Sequence, residues 1–196
     1  MSRSSLAMAL LLAAFAAAAT ANSGAAPAAS DFIRKSCRAT QYPAVCVQSL
    51  ASYGGAAPRS PRELARAALS VSVDKARSAS TYVGHICGPG GGRGGAVGAG
   101  PVRDCLENMA DSVGHLRDAA QELGDMGHAG SPGFKWHLSN VQTWCSAALT
   151  DENTCLDGLS RGVDAATRSA IRGKIVEVAQ VTSNALALVN RVAPAN

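Results

Sequence analysis

Aromatic residues are scarce, making up 4% of the 196-residue chain: two Trp, three Tyr and three Phe. Sheets draw on aromatic and β-branched side chains, whereas alanine favours helix, and about one residue in five here is alanine. The balance excludes a sheet-based fold and points to an all-α one. Charge is modest too, at 16% of residues with a formal net charge of +4. Nucleic-acid binders concentrate basic residues with interleaved aromatics, so that class is excluded. The mild positive balance suits loose association with an acidic matrix. With 47% apolar residues the chain can build a core, so it is not a disordered protein.

The signatures of catalysis and metal binding are also missing. There is no Gly-x-Ser-x-Gly elbow and no His-Glu-x-x-His. His85, His115, His128 and His137 are scattered, and His115 reads as a solvated or capping residue on a helix face. No Cys-x-x-Cys occurs, and no His stands at ligand spacing from a cysteine pair, which excludes a zinc site. Asp151 and Glu152 are adjacent, so on a helix they point different ways. Residues 88–100 hold eight glycines in thirteen but lack the Gly-Lys-Ser/Thr of a phosphate loop. They read as a flexible connector. Asn153-Thr154-Cys155 misses the glycosylation pattern by its third residue, and no other Asn fits it. Neither a cofactor nor a metal is implied, and the expectation is a binding protein rather than an enzyme.

The first 21 residues read as a secretory signal peptide. Arg3 supplies the positive start, Leu6 to Ala19 is apolar, and Ala19-Thr20-Ala21 fits the cleavage rule. The apolar run is about 14 residues, short of the roughly 20 a membrane span needs. The expectation is a secreted, extracellular protein with no membrane association after cleavage. Cys37, Cys46, Cys87, Cys105, Cys145 and Cys155 all follow the leader. An even count in a secreted chain favours disulfides, but six cysteines allow fifteen pairings.

Four long helical stripes follow. The first is Ala65, Leu69, Ser72, Ala76, Ala79, Val83 and Ile86, opened by Ser60, Pro61 and Glu63 in a capping box and closed by Gly88-Pro89. The second is Val102, Leu106, Met109, Val113, Leu116, Ala120 and Leu123, closed by Gly124 and Gly127. The third is Leu138, Val141, Cys145, Ala148, Glu152, Cys155 and Leu159. The fourth, from about 163 to 192, carries Ile171, Ile175, Val178, Thr182, Ala185 and Val189. Four such stripes predict an antiparallel up-down-up-down four-helix bundle over 61–192. An N-terminal helical hairpin, 31–57, precedes it, with Cys37 and Cys46 placed to close it. In such a bundle Cys105 and Cys155 fall at one end of neighbouring helices. Cys145 then reads as a buried core thiol, and Cys87 as free or variably paired. Asp104, Glu107 and Asp111 lie at helical spacing, which by itself is the pattern of a solvated acidic face.

Two stretches are more specific. One is Val141-Gln142-Thr143-Trp144-Cys145-Ser146-Ala147-Ala148-Leu149-Thr150, followed by Thr154-Cys155-Leu156-Asp157-Gly158-Leu159. The other is Asp104-Cys105-Leu106-Glu107-Asn108, followed by Ser112-Val113. With Cys37 and Cys46 upstream, residues 31–191 closely resemble the plant invertase/pectin methylesterase inhibitor family. The resemblance implies disulfides Cys37–Cys46 and Cys105–Cys155. It also implies a one-to-one protein partner, a plant pectin methylesterase whose substrate cleft is covered, with Glu107, Asp111, Thr154 and Asp157 as contacts. Inhibition of an acid invertase is the alternative within the family, and a helical binding module without inhibitory action is the alternative outside it. Three positions depart from the family pattern: Cys145 where Leu is common, Leu159 where Phe is common, and Gly114 where an acid can stand.

Overall fold

The structure, a computed structural model, describes residues 25–54, 57–87, 100–160 and 162–193, with side chains from residue 31 onward. The expected signal peptide and nearly all of the glycine-rich segment lie outside the described residues. Six helices follow one another: α1 (Ala25–Cys37), α2 (Pro43–Ala51), α3 (Pro61–Cys87), α4 (Pro101–Asp125), α5 (Phe134–Gly158) and α6 (Ala165–Val189). The first begins six residues before the expected start of the hairpin.

Several ends of the long helices have a local cause. At the head of α3, Ser60 Oγ accepts from the Glu63 N–H at 3.2 Å. The Glu63 carboxylate accepts from the Arg59 N–H at 2.7 Å, one residue earlier than a regular capping box. Pro61 and Pro101 sit in first turns, where the missing N–H costs nothing. Asp164 caps α6, accepting from the Ala166 and Thr167 N–H groups at 3.1 and 3.0 Å. Those backbone bonds, Thr167 first, hold its carboxyl below the usual range. The carbonyls at the end of α4 are satisfied from outside. The Arg62 guanidinium donates to Leu123 O at 2.8 Å, to Gly124 O at 3.2 Å and to Gly127 O. Gly127 needs its lack of a side chain: its φ is +70°, and an added Cβ would stand 2.6 Å from Ser131 Oγ.

The four long helices form the expected bundle. Each packs against its neighbours in sequence, α3 closes the ring against α6, and α4 with α5 is the most extensive pair. The core runs the length of the bundle through Leu69, Met109, Leu116, Val141, Ile171, Ile175 and Leu188. Ala65, Ala68, Ala76 and Ala79 on α3 are buried and small, so neighbouring helices approach closely. On α4 the buried stripe is Val102, Cys105, Met109, Ser112, Leu116, Ala119 and Leu123. Leu106, Val113 and Ala120 flank it half-buried, so the expected stripe is rotated by part of a turn. Ser112 is inside because a buried acceptor receives its hydroxyl.

The hairpin docks on α6. Asn184 clasps the Tyr42 backbone, accepting from its N–H and donating to its carbonyl, both at 3.0 Å. Ser183 donates to Gln41 at 3.0 Å, and Arg191 to Ser36 O at 3.2 Å. Asn184→Ala strands a backbone donor and acceptor, so an expected loss of about 1–3 kcal/mol follows in urea unfolding. A loss under about 0.5 kcal/mol would show that the clasp is dispensable.

Candidate protein-binding face

Helices α4 and α5 run antiparallel and are stapled at one end. The Cys105–Cys155 disulfide joins the start of α4 to the end of α5, with Cα atoms 4.2 Å apart. Cys37–Cys46 closes the hairpin at 5.6 Å. Cys145 is buried and free, its thiol pushed up to about 12 by desolvation and then by the nearby Glu152 carboxyl. Such a thiol stays protonated and inert. Cys87 is free and half-buried, and burial raises its pKa against the opposing charge of Arg103.

The four residues expected at a contact are all exposed, and three of them gather around the staple. Glu107 lies two residues after Cys105; Thr154 and Asp157 bracket Cys155. Asp111 stands one turn beyond Glu107, about 9 Å along the axis from Cys105 at 1.5 Å per residue. Glu107 pairs with Arg103 at 3.3 Å on the same exposed face. The Thr154 hydroxyl is turned back to Thr150 O at 2.8 Å. Asp111 belongs to a longer series. Asp104, Asp111, Asp118 and Asp125 recur every seventh residue, all exposed, as an acidic edge along α4.

Between the helices runs a ladder of polar contacts. His115 Nδ1 lies 2.9 Å from Asp151 Oδ2, and the His115 ring stacks on Trp144 with centroids 5.4 Å apart. Desolvation raises the Asp151 pKa; His115 opposes that shift and the charge of Asp111 adds to it. At the far end Glu122 meets His137 at 2.6 Å and accepts from Asn140 at 3.3 Å. One rung is fully inside. Glu152 Oε1 accepts from Ser112 Oγ at 2.8 Å and Thr182 Oγ1 at 2.9 Å, while Oε2 is buried without a partner. Burial pushes this carboxyl up to about 8 against the two hydrogen bonds, with the charge of Asp151 adding to the rise.

These arrangements do not make a catalytic centre. Each charged rung is committed to a neighbour across the helix pair. Among the described residues, no cluster of His, Cys, Asp or Glu could hold a metal ion. No helix among them is long and apolar enough to cross a membrane. What the face offers is a rigid, stapled surface with an acidic edge.

Residues 31–188 match the sequence profile described as plant invertase/pectin methylesterase inhibitor. The chain belongs to that family. It is 42% identical to the "21 kDa protein" of Daucus carota over 194 residues, covering 98% of this chain and 96% of that one. It is 43% identical to "Pectinesterase inhibitor 9" of Arabidopsis thaliana over 180 residues, covering 88% and 87%. A crystal structure of a mutant pectin methylesterase inhibitor from Arabidopsis shares the fold, with TM-score 0.62 at 22% identity over 82% of this chain and 95% of that one. The family is one of inhibitors, so this member acts by binding and is not an enzyme.

For a member of the family, the three departures are now placed. Cys145 and Leu159 are buried in the core, and Gly114 sits half-buried on α4 with open space where a Cβ would stand. His115, expected as a solvated or capping residue, is half-buried between Asp151 and Trp144. Glu152 lies in the expected α5 stripe and is a buried carboxyl there. A Glu at a stripe position, with Ser112 and Thr182 inside neighbouring helices, is the signal that was there to be read.

Proposed function

We propose that this protein is a secreted inhibitor of plant pectin methylesterase that binds the enzyme one to one and covers its pectin-binding cleft. The 43% identity to a protein named as a pectinesterase inhibitor, over 88% of this chain, carries the reading. The stapled α4–α5 face supports it, because a partner meets side chains already held in place and little order is lost on binding. Glu107, Asp111, Thr154 and Asp157 are the proposed contacts. The inhibitor domain is residues 31–192, exported to the cell wall by the leader at 1–21. An interface of about 1,600 Å² is sufficient for tight association.

The test titrates the oxidised mature protein against a plant pectin methylesterase and an acid invertase at pH 5 to 7. Stoichiometric loss of esterase activity with invertase untouched is the expected result; loss of invertase activity alone moves the protein to the other branch of its family. Asp111→Ala is expected to weaken inhibition by about tenfold. Unchanged inhibition would remove Asp111 from the contact.

A further inference from the structure

Trp136 is the exposed large hydrophobic residue of the described chain, with 62% of its surface open to solvent. An indole left in water forgoes the burial that its large apolar surface allows. One side of the ring has a neighbour. The ring meets the His137 imidazole edge-on, with centroids 4.8 Å apart at 76°, and His137 is held by Glu122 at 2.6 Å. Beside it lies a concavity of about 540 Å³ whose lining includes Phe134, Leu138, Gly130 and Lys135.

Trp136 and Thr154 are 18 residues apart on the uninterrupted helix α5, which is five full turns. Both therefore stand on one side of the helix, about 27 Å apart along its axis. The helix between them is unusual for an exposed one. From Trp136 to Thr150 it carries no Lys, Arg, Asp or Glu. Its outward hydroxyls on Thr143, Ser146 and Thr150 each donate to the carbonyl one turn back, at 2.8 to 3.0 Å. Such a face gives up little hydration when covered, and depletion of charge with an aromatic anchor is the composition of an interface centre. A standard contact of about 800 Å² per partner is roughly 28 Å across, long enough to include both ends.

We infer that Trp136 is an aromatic anchor of the same esterase contact, so that the docking face runs the length of α5 from the acidic staple to the indole and its neighbouring concavity. This rests on the proposed function: the occupant is the esterase that meets Asp111 and Asp157, reached along one continuous uncharged face.

The experiment compares wild type, Trp136→Ala and Trp136→Phe as inhibitors of one plant pectin methylesterase. The inhibitor is also labelled with 5-fluorotryptophan and its ¹⁹F spectrum followed as unlabelled esterase is added. The expected result is inhibition at least tenfold weaker for Trp136→Ala, near-normal inhibition for Trp136→Phe, and a shift of the Trp136 resonance on complex formation. Equal inhibition by wild type and Trp136→Ala overturns the inference while leaving the functional reading intact. So does an unmoved Trp136 resonance in an inhibited complex. No inhibition by folded wild type overturns the functional reading and this inference with it.

Discussion

Glu152→Gln should abolish most of the pH dependence of folding stability between pH 4.5 and 8. The wild-type carboxyl is fully buried and titrates at about 8, against 4.5 for an unperturbed glutamate. The native state therefore holds a proton across this window that the unfolded chain releases. Stability is greatest below the unfolded pKa and falls as pH rises through the window. The shift corresponds to a loss on the order of 4 kcal/mol by pH 8. Glutamine keeps an oxygen to accept from Ser112 and Thr182 and places an uncharged amide where Oε2 lies unpartnered. At pH 4.5 the two proteins should differ by no more than about 1 kcal/mol, because a protonated carboxyl and an amide present similar polar groups there. At pH 8 the variant should be the more stable by several kcal/mol. Urea unfolding at half-unit pH steps reads the difference directly, and parallel curves for the two proteins would refute the assignment.

A buried carboxyl is an expensive choice where leucine would pack. Glu152 on α5 receives hydroxyls from α4 and α6, so one oxygen ties three helices at one level. A slip of any helix by one turn, about 5.4 Å, would strand both hydroxyls and the carboxyl. In the acid wall environment proposed for this protein the group stays neutral, and the cost is mostly avoided.

This node also marks where reading the sequence stops. The bundle was legible because four stripes repeat at steps of three and four, and because Pro61, Gly124 and Gly127 mark ends that the structure places within a few residues. The two disulfides were implied by family resemblance and agree with the antiparallel order. Hydrophobicity could not place Ser112 inside, since its burial depends on Glu152, 40 residues away. For the same reason the α4 stripe was read through Val113 rather than Ser112. His115 and Asp151 each look like ordinary surface residues; only the pairing of α4 with α5 brings them to 2.9 Å. Trp136 carried no sequence signal, because a single apolar residue in an amphipathic helix is read as core until its direction is known.

Removing the Cys105–Cys155 bond should damage inhibition more than it damages the fold, and removing Cys37–Cys46 should do the reverse. The first bond closes a loop of 50 residues, the second one of 9. In the chain-entropy model these contribute roughly 4 and 2.7 kcal/mol. For a domain of this size each kcal/mol moves the thermal midpoint by about 2–4 °C, so the paired alanine variants should melt about 8–16 °C and 5–11 °C below wild type. Both should remain folded at 25 °C. Their inhibition should then differ by more than their stability does. Cys105 and Cys155 lie within two residues of Glu107, Thr154 and Asp157, and they alone join these two helix ends covalently. Without the bond the last turns of α5 fray, as helix ends do, and a partner must order them again on binding. The hairpin bond touches α6 and α3 through the packing of α2, at the opposite end of the bundle from the staple and from Glu107, Thr154 and Asp157. Inhibition of a plant pectin methylesterase, compared at equal folded fraction, is expected to fall by tenfold or more for Cys105→Ala/Cys155→Ala and by less than twofold for Cys37→Ala/Cys46→Ala. Equal losses for the two variants would mean that the staple supports the fold generally and does not preorganise the contact face.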